Sequence, residues 1–459
     1  MSTADNISKS IVLFLCCIGI AFLAESSERK PNVIIILADD LGFGDIGGYF
    51  GGVANTPNLN RLAREGMLFT DFHANGPMCS PSRASLLTGR YPQRMGVETA
   101  QRHVLDLQKN RDEKTIAYYL HAAGYKTGIV GKWHLGAPGE GDPQNFGFDE
   151  FIGYYGGDLD YFSKINRYGQ GDWWNNGKLS DEEGYVTDLI TNHAIAFIEQ
   201  NRQTEFFLFI SHSAIHFPWQ DRESESLWQR KKGRKYTSDK QSRDSKLGPN
   251  SPEDVPHILK NMIESLDRSI GDVLNAIREN GLDENTMVFF LSDNGGYIDY
   301  GKEIWQNVGS NGVLRGQKGD VWEGGHRVPA MIRWPGKIPA LSVTSQTAMT
   351  MDILPTILEL TGTDGVPLNN PLDGESMAEL LLENGPMPER MLFWRIGNKH
   401  AVRYGYWKLI GEGGNHALYN LKTDINEHNN LIGTHATIEN KLIEAFNFWE
   451  KDVATGTDK

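Results

Sequence analysis

At 459 residues the chain is too long for one ordinary domain and suits a large α/β domain with a smaller partner, and its 39% hydrophobic content is ample for a buried core. A formal charge of -14 at pH 7 argues against nucleic acid and an anionic membrane as bulk partners, because the field of the whole chain repels them. Any anionic ligand must therefore meet cations concentrated locally.

Lys9 precedes an almost unbroken apolar run over 11–24, and the polar stretch 25–30 (ESSERK) follows. A run this short, with Ala24 as the cleavage residue, predicts a signal peptide over 1–24, and hence export with no stable membrane span after cleavage. Cys16 and Cys17 depart with that peptide, so the mature chain keeps Cys79 and forms no internal disulfide.

Residues 31–38 (PNVIIILA) read as a buried parallel strand that ends at Asp39 and Asp40, before the Gly-rich turn LGFGDIGG. The design recurs at 206–210 (FFLFI), leading into SHSAIHFP, and at 287–291 (MVFFL), leading into Ser292, Asp293, Asn294, Gly295 and Gly296. Amphipathic stretches at 56–65, 114–123, 187–200 and 257–280 lie among these strands, and a further helix is expected over 352–362. This alternation predicts a mainly parallel α/β sheet covered by helices on both faces, with ligands bound beyond the carboxyl ends of its strands. The polar segment 219–256, basic at 230–235 (RKKGRK), reads as a solvated surface insertion, with a lid over an anionic ligand as the alternative. Proline and glycine then accumulate up to Pro388, which bounds a large domain over 25–388. Over 389–459, short strands at 391–394, 400–403, 407–410 and 417–421 and a final helix at 438–451 predict an α+β unit with an antiparallel sheet.

Asp39, Asp40, Asp293 and Asn294 offer only oxygen donors, at the ends of predicted buried strands. Carboxylates gathered in one place repel unless a cation joins them, and an irregular oxygen cage with an amide carbonyl suits calcium, with magnesium as the alternative. Taken singly, each pair also fits a helix cap or a turn. Cys79 stands in PMCSPSRASLLTGR (77–90), where Pro81 and the helix-compatible residues after it place Cys79 just before a helix N-terminus. The dipole and free N–H groups there favour anions, and Arg83 lies one turn in with its planar fork open to an oxyanion.

The string CSPSRASLLTGR is similar to the sulfatase signature C-x-P-x-R-x-x-x-L-T-G-R. Further landmarks follow in that family's order: ADDLGFGD at 38–45, GKWHLG at 131–136, HFP at 216–218, SDNGG at 292–296 and RGQKGDVWEGGHRVPA at 315–330. The chain after the signal peptide thus resembles the sulfatases of the alkaline phosphatase-like superfamily, in the branch of arylsulfatase A and N-acetylgalactosamine-6-sulfatase. The resemblance implies an alkaline phosphatase-like fold and a sulfuric ester hydrolase acting on a sulfated carbohydrate or aryl sulfate. It implies that a formylglycine-generating or equivalent maturation enzyme oxidises Cys79 to formylglycine. It also implies that Asp39, Asp40, Asp293, Asn294 and the modified Cys79 hold the metal. Arg83 and Lys132 would then bind the formylglycine hydrate, His134 would act as its base, and His216 and Lys318 would contact the sulfate and the leaving oxygen. A sulfate ester is a crowded, negatively charged centre, so a metal and cations must neutralise its oxygens before attack.

His212, four residues before His216, reads as structural, and His326 and Arg327 as packing at a strand entry. Asp158 in GYYGGDLD (153–160) is a candidate polar contact to substrate, and Trp173 and Trp174 either stack on a sugar ring or pack in the core. Two readings compete: a phosphoesterase of the same superfamily, which extra His and Asp ligands for a second metal would mark, and a catalytically silent binder of sulfated glycans. With no N-x-S/T acceptor and no disulfide pair in the mature chain, a bacterial periplasm or secretion is favoured over a lysosome.

Overall fold

The computed structural model describes residues 29–100, 113–226, 253–300 and 305–454; the signal peptide expected over 1–24 and most of the segment 219–256 lie outside them. The strands are β1 (Asn32–Ala38), β2 (Met67–Phe69), β3 (Phe72–His73), β4 (Lys126–Lys132), β5 (Glu150–Tyr154), β6 (Trp174–Asn175), β7 (Lys178–Leu179), β8 (Phe206–Ser211), β9 (Thr286–Ser292), β10 (Ala330–Arg333), β11 (Ser342–Thr344), β12 (Ala348–Met349), β13 (Met391–Ile396), β14 (Lys399–Tyr404), β15 (Trp407–Glu412) and β16 (Asn415–Asn420). The main sheet has the order β11-β2-β10-β9-β1-β8-β4-β5-β6-β7. Its centre, β9-β1-β8-β4-β5, is parallel, while β10 runs antiparallel to both β9 and β2, and β6 and β7 continue antiparallel from β5.

The helices are α1 (Pro57–Arg64), α2 (Cys79–Thr88), α3 (Ile116–Ala122), α4 (Val186–Gln200), α5 (Val255–Glu279), α6 (Glu323–His326), α7 (Ile353–Leu360), α8 (Ala378–Glu383) and α9 (Ala436–Ala454). Successive side chains of a strand point to opposite faces, and β1 shows the result. Ile34, Ile36 and Ala38 pack with Leu59 of α1, Ile190 of α4 and Met262 of α5. Val33, Ile35 and Leu37 pack with Leu87 of α2, Leu120 of α3 and Ile357 of α7. Both faces of the sheet are therefore covered, which is why its central strands are continuous apolar runs rather than alternating ones.

Strands β13 to β16 form an antiparallel sheet in sequence order. With α9 it shares a hydrophobic cluster that also contains Tyr91, Val321, Met349 and Met351, so the sheet is seated on the larger body rather than tethered to it. A buried ionic knot fastens the contact. Lys408 Nζ of β15 lies 2.8 Å from Glu323 Oε1 of α6 and 2.9 Å from Glu427 Oε1, all three side chains being fully buried. His326 and Arg327, expected as packing at a strand entry, lie just ahead of β10, which begins at Ala330, and join this polar interior. His326 Nδ1 meets His73 Nδ1 at 2.9 Å, and Arg327 Nη1 lies 3.3 Å from Asp71 Oδ1. Trp173 is fully buried in the core, where its indole N–H donates to Glu182, so it has no face to offer a sugar. No helix among the described residues is long and apolar enough to cross a membrane.

Removing one partner of a buried pair leaves its counter-charges uncompensated. Lys408→Met is expected to destabilise the fold by about 3–5 kcal/mol, read as a lowered urea midpoint. An unchanged midpoint would show that the knot contributes nothing to stability.

Candidate active site

The carboxyl ends of four adjacent central strands deliver the expected side chains to one place. Asp39 and Asp40 follow β1, Asp293 and Asn294 follow β9, Lys132 closes β4, and His212 and His216 lie in the turn after β8. Asp40 and His134 hold left-handed backbone, φ 63 and 54, a conformation that costs a non-glycine residue and that tends to persist where the surroundings fix a functional side chain. Cys79 is not the residue before a helix but the first residue of α2, with Met78 as its N-cap, because the turn already closes from Ser82 N–H to Met78 O. All ten residues of α2 are buried. A helix rich in serine tolerates this because its hydroxyls find acceptors: Ser82 donates to Gly76 O, Ser85 to Arg90 O and Ser80 to His134 O.

Around Cys79 the geometry is tight. Its Sγ lies 3.4 Å from Asp39 Oδ1 and 4.0 Å from Asp40 Oδ1, and Lys318 Nζ donates to it at 3.0 Å. Lys132 Nζ donates to Asp39 Oδ2 and Lys318 Nζ to Asp40 Oδ1, each at 2.5 Å. Arg83 donates through Nε to Asp293 Oδ2 at 3.1 Å and through Nη1 to Lys132 O and Ser211 Oγ. Asn294 Nδ2 donates to Asp40 Oδ1 at 2.9 Å, and Asp293 Oδ1 accepts from the Asp40 N–H. His216 donates from Nδ1 to Phe217 O at 2.6 Å and turns Nε2 toward Asp40 Oδ2, 3.7 Å away. The structure thus brings together Asp39, Asp40, Cys79, Arg83, Lys132, His216, Asp293, Asn294 and Lys318. His134 stands beside them, joined through the Ser80 hydroxyl at its carbonyl.

Burial and charge set the protonation of this cluster. Burial pushes the Cys79 thiol up and neighbouring Asp39 pushes further, outweighing Lys132 and Lys318. Burial, with Asp39 alongside, also raises the Asp293 carboxyl. For Lys318, burial acts to lower the ammonium, but Asp40 outweighs it and holds the group well above the ordinary lysine range. Burial and the cations of Lys132 and Arg83 keep His134 neutral, and burial with Lys132 and Lys318 does the same for His216.

Two oxygens of the cage have no hydrogen-bond partner although they are buried: Asp40 Oδ2 and Asn294 Oδ1. Such orphans are rare in folded proteins, and a cation between them would satisfy both. One ligand atom from each of Asp39, Asp40, Cys79 and His216 lies within 4.8 Å of the others, so the donors fit a metal ion.

His212 lies apart from the cage: its Nε2 meets Ser269 Oγ of α5 at 3.2 Å. Ser211 is a member that sequence reasoning passed over. Its hydroxyl accepts from Arg83 and donates to the Lys132 backbone carbonyl at 2.6 Å, tying the guanidinium to the end of β4. Its place at the carboxyl end of a buried strand, as for Asp39, was the available signal. Gly295 is the other: a Cβ there would lie 1.8 Å from Gly324 O, so the backbone next to Asn294 rests directly against α6.

Comparison with known proteins gives a consistent picture. The Sulfatase family profile matches residues 31–363, and the profile of the N-sulphoglucosamine sulphohydrolase C-terminal region matches 317–448. The chain is 33% identical to N-acetylgalactosamine-6-sulfatase of Mus musculus, over 88% of this chain and 76% of that protein. It is 32% identical to arylsulfatase A of Homo sapiens, over 91% and 86%. Among solved structures, Ps i-CgsB in complex with k-i-k-neocarrahexaose is 28% identical, with a TM-score of 0.78 over 92% of this chain and 93% of that one. The PsFucS1 sulfatase from Pseudoalteromonas sp. is 26% identical, with a TM-score of 0.72 over 95% and 92%.

Because only a thiolate attacks, the Cys79 thiol is expected to react with iodoacetamide at pH 8 at least about tenfold more slowly in the folded chain than in urea. Equal rates would mean that the position is open to solvent and unperturbed.

Proposed function

Because the chain belongs to the sulfatase family and hydrolyses sulfate esters, we propose that its substrate is a sulfated carbohydrate and that it works through a formylglycine made from Cys79. The observation that carries this reading is the setting of Cys79 at the head of α2, with Lys318 Nζ 3.0 Å and Asp39 Oδ1 3.4 Å from its Sγ. Relatives named for a sulfated amino sugar support the carbohydrate class.

Calcium, or magnesium in its place, would be held by Asp39, Asp40, Asp293, Asn294 and the side chain at position 79, and would neutralise the oxygens of the bound sulfate. Formylglycine supplies, as its hydrate, two hydroxyls on one carbon: one to attack sulfur and one whose loss of a proton releases sulfate, a pair that serine or cysteine lacks. The chain's own groups do the rest. Arg83, fixed by Asp293 and Ser211, fills the first turn of α2 with positive charge and steadies the side chain at 79. Lys318, which donates to the side chain at 79, and Lys132, which donates to the neighbouring Asp39, would donate to sulfate oxygens as the local cations that a chain of charge -14 requires. His134, kept neutral with a buried Nδ1 that has no hydrogen-bond partner, accepts the proton. His216 spends its Nδ1 proton on Phe217 O, which leaves Nε2 an acceptor, so the proton for the leaving oxygen comes from Lys318. An N-terminal signal peptide over 1–24 and a separate maturation enzyme complete the reading, with action in a bacterial periplasm or outside the cell.

Oxidation of Cys79 to the aldehyde removes about eighteen mass units from its peptide, by atom counting on the oxidised side chain. Mass spectrometry of the active protein is expected to show that loss, with Cys79→Ala lowering kcat on 4-nitrophenyl sulfate by at least about a thousandfold; a fully active alanine variant would refute the proposal. For the metal, calcium at a hundred times its Kd is expected to stabilise the fold by about 2.7 kcal/mol, read as a rise in Tm. Asp40→Asn is expected to abolish that rise, and a calcium-independent Tm in both proteins would argue against the ion.

A further inference from the structure

The chain as encoded carries a thiol at position 79, and the two carboxylates beside it divide their oxygens in the same way. Lys132 Nζ occupies Asp39 Oδ2 and Lys318 Nζ occupies Asp40 Oδ1, each at 2.5 Å. The opposite oxygens meet two softer donors. Asp39 Oδ1 lies 3.4 Å from Cys79 Sγ, and Asp40 Oδ2, which has no hydrogen-bond partner, lies 3.7 Å from His216 Nε2. His216 gives its Nδ1 proton to Phe217 O at 2.6 Å, which leaves a lone pair on Nε2. A backbone carbonyl on the other ring nitrogen is the usual way a ligating histidine is oriented. One donor from each of Asp39, Asp40, Cys79 and His216 lies within 4.8 Å of the others, and all four side chains are buried.

In a tetrahedral zinc site, bonds of about 2.3 Å to sulfur and about 2.0–2.1 Å to oxygen and nitrogen set neighbouring donors about 3.3–3.6 Å apart. The observed 3.4 and 3.7 Å are close to that spacing before any ion draws the donors in. Calcium takes about six to eight oxygens, so thiolate sulfur and imidazole nitrogen suit it poorly, whereas both suit zinc. Charge points the same way. Asp39, Asp40 and Asp293 balance Arg83, Lys132 and Lys318, so zinc that releases the thiol proton to solvent adds one positive charge, where calcium beside an intact thiol adds two. Burial pushes the free thiol up, and a coordinated dication supplies the positive charge that burial withholds from the thiolate. We propose that, before Cys79 is converted, Asp39, Asp40, Cys79 and His216 form a four-coordinate site for zinc, and that conversion to the aldehyde exchanges this preference for calcium. Lys318 gives up its contact with Sγ on zinc binding and keeps Asp40 Oδ1. The zinc site differs from the all-oxygen cage in its ion and in its sulfur and nitrogen donors, and it leaves out Asp293 and Asn294; only the exchange rests on the formylglycine reading.

The test uses the full chain made without a maturation enzyme, its thiol at 79 confirmed by mass, with cobalt(II) as a coloured stand-in for zinc. Cobalt is expected to give the intense visible bands of four-coordinate geometry and a thiolate charge-transfer band in the near ultraviolet, and one equivalent of zinc is expected to bleach both. By competition, zinc is expected to bind the thiol chain at least about a hundredfold more tightly than calcium, and the order is expected to reverse in the converted chain. Cys79→Ser is expected to lose the charge-transfer band and at least about a hundredfold in zinc affinity, while His216→Gln keeps the band and loses affinity. The wild-type cobalt spectrum decides alone where a variant fails to fold. A six-coordinate spectrum without the thiolate band, or zinc affinity unchanged in Cys79→Ser, overturns the site and leaves the formylglycine reading standing. A converted chain that still prefers zinc overturns the exchange. A converted chain that prefers calcium but cleaves no sulfate ester overturns the proposed function and leaves the zinc site in place.

Discussion

Three carboxylates and three cations share a buried volume at the carboxyl edge of the sheet, and the rest of the molecule is arranged to keep them there. Asp39, Asp40 and Asp293 leave neighbouring strands, so the hydrogen-bond register of β1 with β9 fixes their approach before any side chain is placed. Two such charges about 4 Å apart repel by about 4 kcal/mol at the effective dielectric of a protein site. Each pair must therefore be separated by positive charge or lose its ionisation. Arg83, Lys132 and Lys318 supply that charge from a helix, a strand end and a loop, three elements far apart in the chain. The arrangement is held by mutual neutralisation, and it leaves two buried oxygens, Asp40 Oδ2 and Asn294 Oδ1, without a hydrogen-bond partner.

The smaller sheet contributes to this without reaching the site. Helix α6 supports the backbone beside Asn294 through Gly295, and it ends the loop that carries Lys318. Glu323 at the head of α6 is fastened in turn by Lys408 and, through its N–H, by Glu427. The second unit thus braces one wall of the charged cage from behind. This explains why polar residues with no access to solvent accumulate at the junction.

Much of this was legible in sequence because the central strands are buried on both faces and read as unbroken apolar runs that stop at carboxylates. The strands at 32–38, 206–211 and 286–292 differ from expectation by no more than one residue at either end. Less legible were β2, β10 and β11, with only three or four residues each, too short for periodicity to register. These include the antiparallel strand that makes the sheet mixed. The knot of His73, His326, Glu323, Arg403 and Lys408 was invisible for another reason: its members come from distant parts of the chain, His73 and Arg403 lying 330 residues apart, and nothing local marks them as partners. Where sequence reasoning placed Cys79 one residue ahead of its helix, the backbone had already closed the turn.

The side chain at position 79 is 1% exposed and is walled by α2, three strand ends and the Lys318 loop. No second macromolecule could grip a peptide around it without pulling the sheet apart. A conversion of that residue by another enzyme must therefore happen while the chain is still extended, ahead of the collapse that builds the cage. If such a conversion takes place, timing during biosynthesis rather than equilibrium between two folded forms would decide the fate of each copy: molecules that closed too early would keep their thiol, and fast synthesis would leave well-folded but unconverted protein.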